Sequence, residues 1–211
     1  MSEEVEARTL VATFGFDIDF VVRRITARRY SQVRLLSLKT REGEERVAKA
    51  FHALKAICIS MRIDCTLEGL EASGIIRAVY TILKNASQKG PVDLYLTGGP
   101  RILVVSALVA ALMLGEDESS RIQIAVEGEA FEHSWEPKLS LLKQLLSMDD
   151  RDRDIVLSLR TLGRASLAEL ARQAGIPKST VFKRLRKLMA NRIVCGEGDV
   201  YLLCKEVYDL L

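Results

Sequence analysis

The stretch DLYLTGGPRILVVSALVAALML, from Asp93 to Leu114, decides how the N-terminal part of this chain folds. A short apolar run ends at Thr97-Gly98-Gly99-Pro100-Arg101, and a longer apolar run follows in which Ser106 is the only polar residue. The first run is typical of a buried strand, and the second is long enough for a helix. The stretch therefore predicts a strand, a tight glycine turn and a buried helix.

Strand-like and helix-like segments alternate on both sides of this turn. We predict strands at 8–14, 31–39, 64–67, 92–97, 121–128 and 130–135, and helices at 16–29, 44–60, 71–86 and 101–114. Strands that alternate with helices pair in parallel through right-handed crossovers. The N-terminal part is therefore predicted to be a three-layer α/β fold, with any ligand at the carboxyl ends of its strands.

The helix after the glycine turn is apolar on all sides. A helix that covers one face of a sheet needs a single apolar stripe, so the outer face of this helix needs a second cover. We expect that cover to be the same helix of another subunit, because each buried aliphatic side chain stabilises association by roughly 1.5–3 kcal/mol. Coverage by the connector or the C-terminal domain is the alternative.

The turn from Thr97 to Arg101 is a candidate anion site. Its glycines permit a positive φ, its proline fits the first helical position, and a helix start presents free N–H groups to an anion. Arg101 adds a forked cation suited to phosphate. In a dimer formed through the helix, two such turns would approach the two-fold axis, so the ligand would be a symmetric polyanion. A tight turn with a solvated Arg101 is the alternative.

The C-terminal third of the chain carries the basic charge. From Asp150 to Leu211 there are 12 Lys and Arg against 8 Asp and Glu, whereas the rest of the chain is near neutral. Ser166 and Glu169 predict a capped helix that stops at Gly175, and a basic helix follows Pro177. Two strand-like runs around residues 196–199 predict the hairpin of a wing.

A helix, a short glycine turn, a basic helix and a wing in this order predict a winged helix-turn-helix domain that binds double-stranded DNA. A basic but merely solvated helix face is the alternative. The domain boundaries are predicted at 1–136 for the α/β domain, 137–149 for a connector and 150–211 for the winged helix. The predicted DNA-binding residues are Lys178, Ser179, Thr180, Lys183, Arg184, Lys187 and Arg192.

The cysteines and histidines argue against a metal site. The four cysteines show no C-x-x-C spacing, and there are only two histidines. We interpret the cysteines as ordinary small hydrophobic residues. A disulfide between Cys195 and Cys204, which fall on two predicted strands, remains conceivable.

Other classes of protein are also disfavoured. The longest apolar run is too short for a bilayer of roughly 30 Å, and no secretory signal is visible, so we expect a cytoplasmic protein without a membrane partner. The glycine turns do not belong to G-x-G-x-x-G and no Walker A motif is present, which argues against a dinucleotide-dependent oxidoreductase.

Two stretches resemble motifs of the CARF (CRISPR-associated Rossmann fold) domain. The sequence ATFGFDIDFVVRRI (12–25) is similar to its first motif, and YLTGGPRILVVSALVAAL (95–112) is similar to its second. With a C-terminal winged helix, the chain resembles the archaeal Csa-type CRISPR-associated transcriptional regulators. The resemblance implies an α/β fold with a Rossmann-like, three-layer, mostly parallel sheet, joined to a small α+β winged helix-turn-helix domain.

The resemblance also implies a function. Such a chain would form a homodimer, bind a cyclic oligoadenylate, most often cyclic tetra-adenylate, across the dyad, and control CRISPR genes in antiviral defense through operator DNA. Besides this ligand, no cofactor is expected. By motif, the ligand-binding residues would be Thr13, Phe14, Gly15, Phe16, Asp17, Thr97, Gly98, Gly99, Pro100 and Arg101.

No catalytic residue is predicted, and we expect the chain not to be an enzyme. A ring nuclease that cleaves the bound ring through a positioned 2′-hydroxyl is the enzymatic alternative. Its only candidate helpers are Thr97, Arg101 and Ser106, and no histidine lies nearby to act as a general base. A winged-helix regulator that senses another nucleotide is the second alternative.

Overall fold

The structure is a computed structural model that describes residues 8–128 and 134–211 of the 211-residue chain. The chain divides into two compact units, with the boundary between Ser140 and Leu141. That boundary falls inside the connector expected at 137–149. Each unit is described below by itself.

The first unit alternates strands and helices as far as its fifth strand. Its strands are β1 (Thr9–Thr13), β2 (Gln32–Leu38), β3 (Asp64–Leu70), β4 (Val92–Tyr95), β5 (Ile122–Glu127) and β6 (Ser134–Trp135). Its helices are α1 (Asp19–Ala27), α2 (Glu44–Ser60), α3 (Ile75–Lys89), α4 (Arg101–Leu112) and α5 (Glu116–Ser120). Relative to the sequence prediction, β3 is longer, α1 and α3 begin later, and the short α5 is additional. Residues 130–133 of the predicted last strand lie outside the described residues.

The strand order of this sheet is β3-β2-β1-β4-β5-β6. Strands β1 to β5 are parallel to their neighbours, and β6 is antiparallel to β5. Strands β1 and β4 are adjacent although two other strands separate them in sequence, so the chain reverses its direction of winding between them. Such a switch point leaves a crevice at the carboxyl ends of the two strands. The predicted Rossmann-like α/β fold is confirmed.

Helix α4 is apolar on both of its sides, as its sequence requires. Its inner side is buried through Leu103, Ala107 and Ala110. The outer side carries a stripe of four large apolar residues that are 37% to 62% exposed. We call this set the α4 stripe; it consists of Ile102, Val105, Val109 and Met113.

The second unit is a winged helix-turn-helix domain, as predicted. The elements leading into and through this unit are α6 (Leu139–Leu146), α7 (Asp150–Leu162), β7 (Arg164–Ser166), α8 (Leu167–Ala174), α9 (Lys178–Ala190), β8 (Val194–Glu197), β9 (Val200–Leu203) and α10 (Lys205–Tyr208). The three strands pair in the order β7-β9-β8, and β7 and α10 had no counterpart in the sequence prediction. The capping box at the start of α8 is confirmed, because Ser166 Oγ accepts from the Glu169 N–H and the Glu169 carboxylate accepts from the Ser166 N–H.

All four cysteines form disulfides, so their interpretation as ordinary small hydrophobic residues is wrong. Cys58 pairs with Cys65, and Cys195 pairs with Cys204. The Cα atoms of the paired cysteines lie 6.2 Å apart in the first bridge and 5.1 Å apart in the second. A disulfide spans such distances without backbone movement. The Cys195–Cys204 bridge is the disulfide that the two predicted strands left open, whereas nothing in the sequence spacing reveals that Cys58 and Cys65 lie together.

Candidate functional site

A cavity of about 470 Å³ lies at the carboxyl ends of β1, β2 and β4, next to the switch point. Its size is within the usual range of small-molecule sites. Three chain segments that follow these strands line it. They contribute Phe14, Gly15, Phe16, Asp17 and Phe20 after β1, Leu38, Thr40, Gly43, Arg46 and Val47 around the end of β2, and Thr97, Gly98, Gly99 and Pro100 after β4.

Eight of the ten residues expected to bind ligand line this cavity, and Thr13 and Arg101 do not. Thr13 is buried at the end of β1, where its hydroxyl donates to the Tyr95 carbonyl oxygen at 3.4 Å. Arg101 is exposed as the first residue of α4. Thr13 therefore holds the end of β4, where the glycine turn starts. Arg101 lies beside the cavity and does not line it.

The turns that follow β1 and β4 touch through their backbones. Gly99 has a φ of 85°, and a Cβ atom there would lie 3.1 Å from backbone atoms of Phe14. A Cβ atom on Gly98 would lie 3.1 Å from the Thr13 carbonyl oxygen, and one on Gly15 would lie 3.3 Å from the Gly99 Cα. These separations are tighter than ordinary van der Waals contact, so the two turns meet because glycine occupies these positions.

Two helices, α2 and α4, begin at the cavity without a side-chain cap. Their N-cap residues, Gly43 and Pro100, make no side-chain hydrogen bond to the helix start, whereas α7 and α8 are capped. Pro100 was expected at the first helical position, but in the structure it is the N-cap residue, one position before the helix. At the start of α1, Asp17 accepts from the Asp19 N–H at 2.9 Å. Uncapped N–H groups and the positive end of a helix dipole favour an anionic ligand.

An aromatic ring and a cation lie together on the rim of the cavity. Phe16 is 62% exposed, and the guanidinium carbon of Arg46 lies 4.5 Å from its ring centroid. Both surfaces are ones on which nucleobases stack, and the cation also suits a phosphate. Arg46 was missed by sequence reasoning, as were five other lining residues: Phe20, Leu38, Thr40, Gly43 and Val47. No motif marks them; Phe20 reaches the site from α1, and the position of β2 beside β1 brings the others there.

A profile described as the Csa3 CRISPR-associated Rossmann-like domain matches residues 8–136, which is more than half of the chain. A profile described as winged helix-turn-helix DNA-binding matches residues 148–194. The chain belongs to the Csa3 family of CRISPR-associated Rossmann-like domains. It therefore combines this CRISPR-associated domain with a winged helix-turn-helix DNA-binding domain.

Two solved structures are similar to the chain. One is Can2 from Sulfobacillus thermosulfidooxidans in complex with cyclic tetra-adenylate, with 11% identity, a TM-score of 0.47, and coverage of 98% of this chain and 61% of that one. The other is protein VC1899 from Vibrio cholerae, with 12% identity, a TM-score of 0.46, and coverage of 96% and 63%. The chain thus spans about six tenths of the length of each. No curated protein matches it.

Helix α9 of the winged-helix domain presents most of the predicted DNA-binding residues to solvent. Thr180 and Arg184 are the two that are only half-exposed. Two further exposed residues, Phe182 and Arg186, lie among them and were not predicted. Helical spacing could have found them, because positions 179, 182, 183 and 186 share one face. The exposed predicted residues are Lys178, Ser179, Lys183, Lys187 and Arg192.

Arg184 is held by carboxylates of its own domain, unlike the other arginine of α9, Arg186. It donates to Asp149 at 2.7 Å and to Asp152 at 2.6 Å, and Lys187 donates to Asp152 at 3.0 Å. The side chain of Asp152 is 1% exposed, and these two cations are the ion-pair partners of its buried carboxylate. The hydrogen bonds to Asp149 and Asp152 raise the pKa of Arg184. Arg184 therefore fastens α9 to the start of α7.

Within residues 8–128 and 134–211, no group of His, Cys, Asp or Glu side chains is arranged to hold a metal ion. Over the same ranges, no helix has the length and apolar character needed to cross a membrane.

Proposed function

We propose that this chain is a transcription regulator controlled by a cyclic oligoadenylate. Two copies join along the α4 stripe, the cyclic nucleotide binds across the two-fold axis, and the winged helices bind operator DNA. One observation carries the proposal: an exposed apolar stripe runs along the same helix whose uncapped start, at Pro100, forms part of the cavity.

The exposure of the α4 stripe supports the proposed dimer. Ile102, Val105, Val109 and Met113 recur at helical spacing along one side of α4. A two-fold contact would bury the stripe of both copies, at roughly 1.5–3 kcal/mol for each side chain, against an association cost of about 4–15 kcal/mol. Because α4 starts at the cavity, such a contact would also bring two cavities to one axis.

The ligand class follows from the chemistry of the cavity. Helix starts and Arg46 suit phosphates, and the exposed ring of Phe16 suits a base. A cyclic oligoadenylate carries both groups in a repeating ring, and cyclic tetra-adenylate has a two-fold axis that matches the proposed dimer. Membership in a CRISPR-associated family supports this choice over another nucleotide.

We expect the ligand to act on DNA binding by changing the spacing or orientation of the two α9 helices in the dimer. Ligand and DNA then share a coupling free energy, so each changes the affinity for the other by the same factor. The measurement is calorimetry with cyclic tetra-adenylate, followed by DNA affinity with and without the ring on duplexes selected by the full-length chain from a randomised library. No heat on addition of the ring, or identical DNA affinities, would refute the proposed control.

The matched variants are Val105→Asp, on the α4 stripe, and Ile59→Asp, on α2, which are 60% and 68% exposed in the wild type. We expect V105D to sediment as a monomer and to lose ring binding, because each copy then offers half a site. I59D should remain a dimer and bind normally. A monomeric wild type, or full ring affinity in V105D, would rule out the shared site.

We further propose that the site binds the ring without cleaving it. No histidine is among the described residues that line the cavity, and their one carboxylate, Asp17, also accepts a backbone N–H. The cavity therefore offers few groups suited to general base catalysis. Radiolabelled ring incubated with the protein should stay intact; linear product over many turnovers would establish the ring-nuclease alternative.

A further inference from the structure

Phe182 is a large apolar side chain in the middle of a basic surface. It is the fifth residue of α9 and is 45% exposed. Its neighbours on the same face, one turn before and one turn after, are Ser179 and Arg186, and Lys183 adjoins it in sequence. The opposite side of α9 forms the core of the domain through Val181, Leu185 and Leu188. Phe182 thus points away from that core.

The surface around Phe182 is suited to a polyanion. Four exposed cations, Lys178, Lys183, Arg186 and Arg192, form no ion pair with any carboxylate in the described part of the chain. No Asp or Glu occurs between positions 178 and 192. This charge complementarity selects DNA as the occupant over an apolar protein partner.

The position of Phe182 along α9 decides what it can touch on DNA. The N-terminal residues of a recognition helix contact base edges in the major groove, whereas lysines and arginines on its flanks contact phosphates. Among the groups exposed in the major groove, the C5 methyl of thymine is the apolar one, and phenylalanine is one of the side chains that contact it.

We infer that Phe182 reads thymine, by packing its ring against the C5 methyl group of one thymine in each half-site of the operator. The inference rests on the proposed DNA-binding function and goes beyond it by naming a base and the residue that recognises it. Burial of one methyl group corresponds to about a fourfold change in affinity at each half-site.

The test replaces thymine by uracil, which pairs identically but lacks the methyl group. The full-length wild type first selects duplexes from a randomised library, and the enriched duplex is resynthesised with uracil at one thymine position at a time. We expect the DNA affinity of the wild type to fall about fourfold when uracil replaces thymine at one particular position of each half-site. Phe182→Ala should bind the thymine duplex more weakly and should not distinguish thymine from uracil. The matched control Lys183→Ala should weaken both duplexes equally.

If Phe182→Ala retains the non-specific DNA affinity of the wild type and its salt dependence, its helix α9 is intact. The uracil scan of the wild type is independent of any variant. Uracil without effect at every position, or an undiminished preference for thymine in Phe182→Ala, overturns the inference while specific DNA binding stands. Failure to enrich any duplex removes the inference together with the proposed DNA-binding function.

Discussion

Arg24 of α1 donates a hydrogen bond to the buried carboxylate of Asp93 on β4, with 3.1 Å between Nη2 and Oδ2. Asp93 is fully buried and also accepts from the Tyr30 hydroxyl at 2.6 Å, from Arg28 at 2.9 Å and from Arg8. These groups lie near the amino ends of the strands, the edge opposite the cavity. We call them, with Glu136, the Asp93 cluster.

Glu136 extends this cluster to the chain that follows β6. Its carboxylate pairs with Arg24 and with Arg28. The hydrogen bond from Arg24 contributes most to holding the pKa of Glu136 below its usual range. The cluster therefore joins α1, β4 and the segment after β6 through charged groups, and we expect it to stabilise the first unit.

The first prediction concerns the Arg24→Met variant. Removing Arg24 takes one cation from the buried carboxylate of Asp93, which keeps Arg8 and Arg28, and one from Glu136, so the free energy of unfolding of the first unit should fall by roughly 1–3 kcal/mol. Trp135, the only tryptophan, lies in this unit and reports its urea unfolding by fluorescence. The control is Lys39→Met, whose pair with Glu71 is 49% and 64% exposed and should contribute about 0–1 kcal/mol. Equal losses in the two variants would contradict the prediction.

The second prediction concerns acid. Burial alone would raise the pKa of Asp93, but hydrogen bonds from Tyr30 and Arg8 outweigh it and hold the pKa below the ordinary value of 3.8. The resulting stabilisation is fully present above the unfolded-state pKa, about 3.9, and is lost as pH falls through the folded-state pKa. Unfolding free energies measured between pH 6 and pH 3 should therefore fall less steeply in Asp93→Asn than in wild type. Parallel curves would refute this role.

The sheet and the turns after β1 and β4 could be predicted from sequence because their signals are local. Alternating apolar runs identify strands and helices, and Gly98-Gly99-Pro100 marks a turn whatever surrounds it. The Asp93 cluster could not be predicted. Asp93 lies in a run that otherwise indicates a buried apolar strand, and its partners come from segments far apart in the chain. The same applies to Arg46, which reaches the cavity only because β2 pairs with β1.

The third prediction separates backbone strain from contact between turns. Gly99 and Gly74 have positive φ values of 85° and 78°, but a Cβ atom would meet the Phe14 backbone only at Gly99. Gly99→Ala should therefore push the two turns apart and weaken cyclic tetra-adenylate binding at least tenfold, about 1.4 kcal/mol. Gly74→Ala should lower the free energy of unfolding by about 1–3 kcal/mol through backbone strain and leave the ligand affinity unchanged. Calorimetry decides, and equal ligand affinities in the two variants would count against the contact.

The fourth prediction concerns the order in which the disulfides are reduced. Cys58 and Cys65 are buried, whereas Cys195 is exposed at the wing. Because thiol exchange needs access to sulfur, mild dithiothreitol followed by iodoacetamide should label Cys195 and Cys204 first. Peptide mass spectrometry over time measures the order. Reduction should also destabilise the wing hairpin, by roughly 2–3 kcal/mol for so short a loop. Labelling of the Cys58–Cys65 pair first would contradict the observed burial.

The fifth prediction distinguishes two arginines on α9, of which only Arg184 was predicted from the sequence to bind DNA. Arg186 is exposed, so Arg186→Ala should leave thermal stability unchanged and reduce the slope of log affinity against log salt by about one. Arg184 pairs with Asp149 and with the buried Asp152, so Arg184→Ala should lower the melting temperature of the winged-helix domain because Asp152 loses a partner. Its salt slope should change little. The two variants carry the same charge change, so a difference between them reports position alone. If Arg184→Ala instead lost a phosphate contact at unchanged stability, its ion pairs would be too weak to fasten α9 to α7.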